Sequence, residues 1–174
     1  MIFNTIKLSA ARKRVAQLVG EQKIRSFPGT PKTMSIVIDA KNEIYLPVLL
    51  KLKKELKIAP KDFTILYYST SKTQPDCCEA SVFNLQDFSA KGEILNEGLA
   101  EKSSQGVDLL ITFAAENNTT AHLITAHFKA GLKVGRYQQN LALYDLILQT
   151  EEDADLFVEE LLKYLKHLTK SSNE

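Results

Sequence analysis

Residues 107–137 read VDLLITFAAENNTTAHLITAHFKAGLKVGRY, and their reading decides the fold. Val107 to Ala114 is the strongest strand in the chain, a short apolar run of the kind buried on both faces of a sheet. The polar turn Glu116-Asn-Asn-Thr119 follows, and Asn118 or Thr119 can cap the helix after it. That helix is predicted to end at Gly131, a residue suited to a helix C-terminus. Leu132 to Arg136 then forms the next strand. A strand, a helix and a second strand in so few residues imply two parallel strands joined by a helical crossover.

The same alternation extends outward in both directions. Upstream, Met34 to Asp39 (MSIVID) is a β-branched apolar strand. A helix is predicted from about Asn42 to Lys57, with Pro47 in its first turns forcing a late or distorted start. Phe63 to Ser69 is a second strand, residues 70–79 a polar loop, and Ala80 to Leu85 a weak third strand at an edge. A helix from about Gly92 to Ser103 places Ile94, Leu95 and Leu99 inward. Downstream, Leu143 to Leu148 is a last strand. A helix over 153–168 carries Phe157, Leu161, Tyr164, Leu165 and Leu168 on one face. At the N-terminus, residues 4–25 form a basic amphipathic helix whose stripe is Leu8, Ala11, Val15, Leu18 and Val19. The turn Ser26-Phe-Pro-Gly-Thr-Pro31 breaks it.

Six strands alternating with helices predict an α/β fold: one doubly wound, mostly parallel, Rossmann-like sheet with helices on both faces. The expected organisation is an N-terminal helix and turn over residues 1–30, the α/β domain over 31–169, and a disordered tail over 170–174.

Charge and composition narrow the function classes. The chain has 174 residues, 44% hydrophobic and 25% charged, with a net charge of +1, which gives no global argument for nucleic acid or an anionic membrane. Locally the balance is uneven. Residues 1–33 carry Lys7, Arg12, Lys13, Arg14, Lys23, Arg25 and Lys32 against Glu21 alone, and the stretch from Glu151 onward is acidic. No apolar run approaches the roughly 18–20 residues needed to span a bilayer, and the N-terminus lacks the apolar core of a signal peptide. A cytoplasmic protein with no membrane partner is expected. Adjacent Cys77 and Cys78, with Cα atoms about 3.8 Å apart, are too close for an unstrained disulfide and too few for a zinc site, so they read as reduced thiols.

In doubly wound sheets, ligands bind outside the carboxyl ends of the strands, where strand order reverses. That rule selects Asp39 from the first strand, Ser69 and Lys72 from the second, Glu116, Asn118 and Thr119 from the fourth, and Arg136 from the fifth. Lys41, Asn42, Thr70, Ser71, Asn117 and Tyr137 lie beside them. The backbone N–H groups and dipole of the helix after Asn118 favour an anion. Arg136 can clamp a carboxylate or phosphate with two hydrogen bonds, and Asp39 can accept from sugar hydroxyls or act as a base. The same residue types also cap helices and make turns, and Asp39 and Arg136 can pair with each other.

Other chemistries lack their signatures. DAKNE stands where a dinucleotide fold has G-x-G-x-x-G, and the Gly29–Lys32 turn lacks the rest of a phosphate loop. There is no G-x-S-x-G elbow, no metal-spaced cluster and no aromatic–basic interleaving for single strands. His122 and His127 lie about 140° apart on a helical wheel, so they are not the i,i+4 pair a metal would want. His127 reads as a packed core residue, and His122 and His167 as surface residues. No cofactor is expected.

VDLLITF…LITAHFKAGLKVGRY, followed by YDLILQ…FVEELLKYLKHL, resembles a family of small bacterial α/β proteins classed as a domain of unknown function, over roughly residues 35–168. The resemblance implies a fold and no assigned activity. The D-L-L-I strand followed by a helix and K-V-G is also similar to the N-terminal Rossmann-like halves of heptosyltransferase-type glycosyltransferases. Those enzymes bind their donor largely through a second domain that this chain is too short to contain. Three expectations follow. The first is a domain binding a small anionic, nucleotide- or sugar-phosphate-like ligand. The second is a non-catalytic scaffold that self-associates as a homo-oligomer. The third and weakest is nucleic-acid binding through Lys7, Arg12, Lys13 and Arg14.

Overall fold

The computed structural model describes residues 2–22, 26–138 and 142–171. The expected last turn of the N-terminal helix at 23–25, part of the loop before the last strand and residues 172–174 of the expected tail lie outside the described residues. The elements, in order, are α1 (Ile2–Glu21), β1 (Met34–Asp39), α2 (Leu46–Glu55), β2 (Phe63–Tyr68), β3 (Ser81–Phe83), α3 (Glu97–Gln105), β4 (Val107–Phe113), α4 (Thr119–His127), β5 (Ala130–Gly135), β6 (Leu146–Ile147) and α5 (Ala154–Ser171). The six strands form one sheet in the order β3-β2-β1-β4-β5-β6. Every pairing is parallel.

Chain order reverses between β1 and β4. From β1 the sheet grows one way through β2 and β3, and from β4 it grows the other way through β5 and β6. The crossovers therefore leave the carboxyl ends of β1 and β4 uncovered between them.

Side-chain alternation divides the core between two faces. Met34, Ile36, Ile38, Ile111, Phe113 and Val134 lie under α2 and α5. Phe157 of α5 meets Phe113 edge-on with ring centroids 5.2 Å apart, a geometry that adds about 0.5–1.5 kcal/mol beyond burial. Val37, Leu66 and Leu110 face the other way, toward Leu99 of α3 and the apolar residues of α4. Here α1 adds a further layer. Its Ala11 is buried in that second core, and Val15, Leu18 and Val19 pack on Ala126, Leu143 and Tyr144.

That layer corrects the reading of the histidines. Seen as an amphipathic helix, α4 has an outer side bearing His122 and Thr125; in the fold, every residue from Thr120 to Ala126 is buried. His122, expected on the surface, is 7% exposed. His127, expected in the core, is only half-buried and joins the segment before α3 through Nε2 and Gly92 O at 2.7 Å.

Several boundaries differ for local reasons. Gly131 is not a helix terminus: α4 stops at His127, Phe128 is already extended, and β5 begins at Ala130. The glycine is needed for close approach, because a Cβ there would lie 2.8 Å from Asp108 O. Before α3, Asn84 and Asp87 form a reciprocal capping box around a 3₁₀ turn, and Phe88 bridges Ile94. The helix accordingly starts only after Asn96, whose side chain accepts from Leu99 N, and Leu95 is exposed rather than inward. Pro47 has the expected effect, with a 3₁₀ turn over Ala40–Tyr45 preceding α2. Of the predicted strand 143–148 only Leu146–Ile147 pairs, because Leu143 and Tyr144 pack beneath α1 instead.

Candidate functional site

The site begins with Asp39, the last residue of β1. Beyond it the chain tightens into a 3₁₀ turn, and the extended Asp39 caps that turn. Its Oδ1 accepts from Asn42 N at 3.2 Å and from Asn42 Nδ2 at 2.6 Å. Its Oδ2 accepts from Ala115 N at 2.7 Å and from Asn118 Nδ2 at 3.0 Å. Four donors occupy roughly the four lone-pair sites a carboxylate has. Asp39 is thus a buried brace between the ends of β1 and β4, with no lone pair left to act as a base. Asn118 completes the brace, since its Oδ1 accepts from Ala121 N at 3.0 Å and caps α4.

Arg136 follows β5 and is 4% exposed. Its guanidinium carbon lies 3.8 Å from the centroid of the Phe113 ring. Its NH2 donates to Tyr137 OH at 2.6 Å and to Asn42 Oδ1 at 3.4 Å, and its NH1 to Glu151 O at 3.2 Å. Asn42 therefore stands between Asp39 and Arg136, its amide nitrogen on the carboxylate and its oxygen on the guanidinium. The expected direct pair of Asp39 and Arg136 is replaced by this amide link. Arg136 Nε is buried without a hydrogen-bond partner, an arrangement that costs free energy unless something else compensates.

Between the ends of β1 and β4 lies a crevice of about 350 Å³. Asp39, Ala40 and Lys41 form one wall, and Ala115, Asn117, Asn118, Thr119 and Thr120 another. Tyr68 and Thr70 close the β2 side, and Leu8 of α1 closes the outside. The structure thus brings three of the selected residues, Asp39, Asn118 and Thr119, together in one crevice. It does not bring the others there. Ser69 is buried in a hydroxyl triangle with Ser71 and Thr73 at 3.2 Å each. Lys72 Nζ pairs with Asp87 Oδ1 at 3.0 Å. Burial pushes the Asp87 carboxyl up, but donors from Asn84, Lys72 and Asn96 outweigh it and hold the group below its ordinary value. Glu116 is exposed and contributes its backbone oxygen to His122. Arg136 lies behind the crevice, across Asn42, and is not among its walls.

Behind α4's first turn sits a polar seam that the helical wheel concealed. His122 Nε2 lies 3.0 Å from Glu116 O, so this nitrogen carries the proton. Nδ1, 2.9 Å from Tyr144 OH, then accepts from it. Burial holds the imidazole below its ordinary pKa despite the pull of Glu116 O, and burial raises the Tyr144 phenol. A neutral histidine so fixed holds the turn 116–118, one wall of the crevice. Only the distant Tyr144 reveals this role, so no local pattern could have found it.

A hollow of about 810 Å³ lies at the opposite end of the sheet. Its walls include Leu18, Gln22, His127 and Lys129. Among the described residues, no group of three or more His, Cys, Asp or Glu could hold a metal ion. No helix among them is long and apolar enough to cross a membrane.

A family profile, that of a family of unknown function (DUF6913), matches residues 7–168. The chain belongs to this family. No curated protein and no solved structure matches it. The span shared with DUF6913 runs from before Leu8 to beyond Arg136, so it contains every wall of the crevice and the Asp39–Asn42–Arg136 link. It leaves Ile2, Phe3 and Ile6 outside.

Proposed function

We propose that the protein binds a small anionic ligand, nucleotide- or sugar-phosphate-like, in the crevice between β1 and β4. The observation that carries this reading is the coincidence of three features at one point: the reversal of strand order, the first turn of α4 and the exposed residue Lys41. Asn117 O and Asn118 Oδ1 already engage the N–H groups of Thr119 and Ala121, so the first turn of α4 offers its partial positive charge, and Lys41 adds a full one. The strand order 3-2-1-4-5-6 supports a Rossmann-like assignment, in which ligands bind at this position. Asp39, with both oxygens engaged, serves as the crevice's frame, and no catalytic role is assigned.

A thermal-shift screen with nucleotides, nucleotide sugars and sugar phosphates tests this. A ligand at 100 times its Kd adds about 2.7 kcal/mol of stability, and Lys41→Ala should lose most of the effect. Absence of a shift with every anion, or shifts unchanged in Lys41→Ala, removes the reading.

The second reading is a scaffold that self-associates through α1. It is favoured by the outward first turns of that helix, where Ile2, Phe3 and Ile6 are 80%, 64% and 57% exposed. Replacing all three by serine and measuring mass in solution decides it: a wild type already monomeric rejects it. Nucleic-acid binding stays third, because Lys7 Nζ donates to Phe88 O and Arg14 is engaged by Glu93 and Glu21, leaving Arg12 and Lys13 exposed.

A further inference from the structure

The loop between β2 and β3 carries the chain's two cysteines, and its construction does more than connect strands. Gln74 closes it on itself, its Nε2 donating to Ala80 O at 2.9 Å and its Oε1 accepting from Ala80 N at 3.0 Å. Below that clasp, the hydroxyls of Ser69, Ser71 and Thr73 are mutually bonded. Glu43, from the 3₁₀ turn after β1, accepts from Asp76 N at 2.7 Å and from the Tyr67 hydroxyl. The residues on both sides of Cys77-Cys78 are thus fixed, and Cys78 packs partly against the core. Within this frame the two sulfurs lie 3.4 Å apart, with Cys77 exposed.

We infer that Cys77 and Cys78 form a preorganised dithiol site for a thiophilic trivalent centre, an organoarsenical or the corresponding antimonial. Two sulfurs bound to one pyramidal trivalent arsenic stand at about van der Waals contact, the separation the loop already imposes. The competing fates fit less well. A disulfide between neighbours must form across Cα atoms about 3.8 Å apart, below the usual range and therefore under strain. Zinc needs four ligands, and the described residues offer no group of three or more metal-ligating side chains.

The condensation balances without a redox partner. Two As–O bonds of hydrated phenylarsine oxide break and two As–S bonds form. Each thiol proton leaves with a hydroxide as water, and arsenic remains trivalent. Burial, with Cys77 and Glu43 beside it, pushes the Cys78 thiol up to about 12. A group that stays protonated is a poor ligand for a divalent cation, which must displace the proton into solvent. It is no obstacle to a condensation that carries the proton away as water.

The test titrates the reduced full chain with phenylarsine oxide, following free thiols and intact mass. One arsenic per chain should remove both thiols together, resist excess 2-mercaptoethanol and be released by 1,2-ethanedithiol. Cys77→Ser and Cys78→Ser should each weaken retention by roughly 10²-fold or more, since the second bond is made at high effective concentration only when both thiols are present. Gln74→Ala, which unclasps the loop, should weaken retention while keeping the one-to-one stoichiometry. Two arsenicals per chain, a single-serine variant that still resists the monothiol, or equal retention by urea-unfolded chain would overturn the inference.

Discussion

The rim of the sheet holds two polar regions within a few residues of each other, and they differ in kind. In one, Asp39, Asn42 and Arg136 are buried, bonded to one another and closed to solvent. In the other, Lys41, Thr70 and Asn117 are exposed around an open crevice. Asp39 and Lys41 are two residues apart, yet one is buried in the frame and the other is exposed at the crevice. The difference comes from which way the chain turns after β1. Capping the 3₁₀ turn draws Asp39 inward onto three donor residues and leaves Lys41 on the outside of that turn. Polar residue type at a strand end therefore nominates a position; the hydrogen-bond inventory decides what the position does.

The sharpest way to break this contrast is Asp39→Ala. It leaves the Ala115 and Asn42 N–H groups and two side-chain amides without their acceptor, and should cost about 3–5 kcal/mol in urea unfolding. A loss no larger than that of a surface substitution would mean Asp39 is not the frame. Next comes Arg136. Replacement by alanine should cost about 2–3 kcal/mol by uncovering Phe113 and orphaning Asn42 Oδ1 and Glu151 O. Arg136→Met, which keeps the volume and removes a buried charge with an unpartnered Nε, should stay within about 1 kcal/mol of wild type. If methionine is as harmful as alanine, the guanidinium itself holds the rim together.

His122 sharpens the comparison by pH. Its folded pKa is depressed, so below about pH 6.5 the unfolded chain takes up a proton that the folded chain resists, and stability falls as pH drops. Above that pH both states are neutral and the group contributes no pH dependence. His127 is lowered too, by burial first, so His122→Gln should flatten the acid limb in part, read from unfolding midpoints between pH 7 and 5. A limb unchanged by the substitution would remove His122 from the rim's support. The smallest effect belongs to Lys41→Ala, within about 0.5 kcal/mol in the absence of ligand. A larger loss would place Lys41 with the frame instead of the crevice.

Much of this was legible in the chain, and the exceptions share a cause. α5 was readable because one face meets the sheet and the other meets water, so Phe157, Leu161 and Leu165 recur at helical spacing. α4 was not, because α1 covers the side that a wheel assigns to solvent, and periodicity cannot register a second cover. Asp39, Asn118 and Thr119, selected by the rule for doubly wound sheets, line one crevice. Ser69, Lys72 and Arg136 satisfied the same rule and went elsewhere, since each found a partner remote in sequence or across a turn: Thr73, Asp87 and Phe113.

By itself the sequence determined the α/β class, the strand and helix alternation and the end of the sheet where polar groups gather. Those follow from hydrophobic period, turn residues and caps, all properties of neighbours along the chain. The tertiary structure alone decided which polar groups stay open. It carried the strand order, the burial of His122 beneath α1, the amide link from Asp39 to Arg136 and the release of Lys41 into the crevice. A side chain's burial and bonding depend on what folds against it from tens of residues away, and no local pattern encodes that.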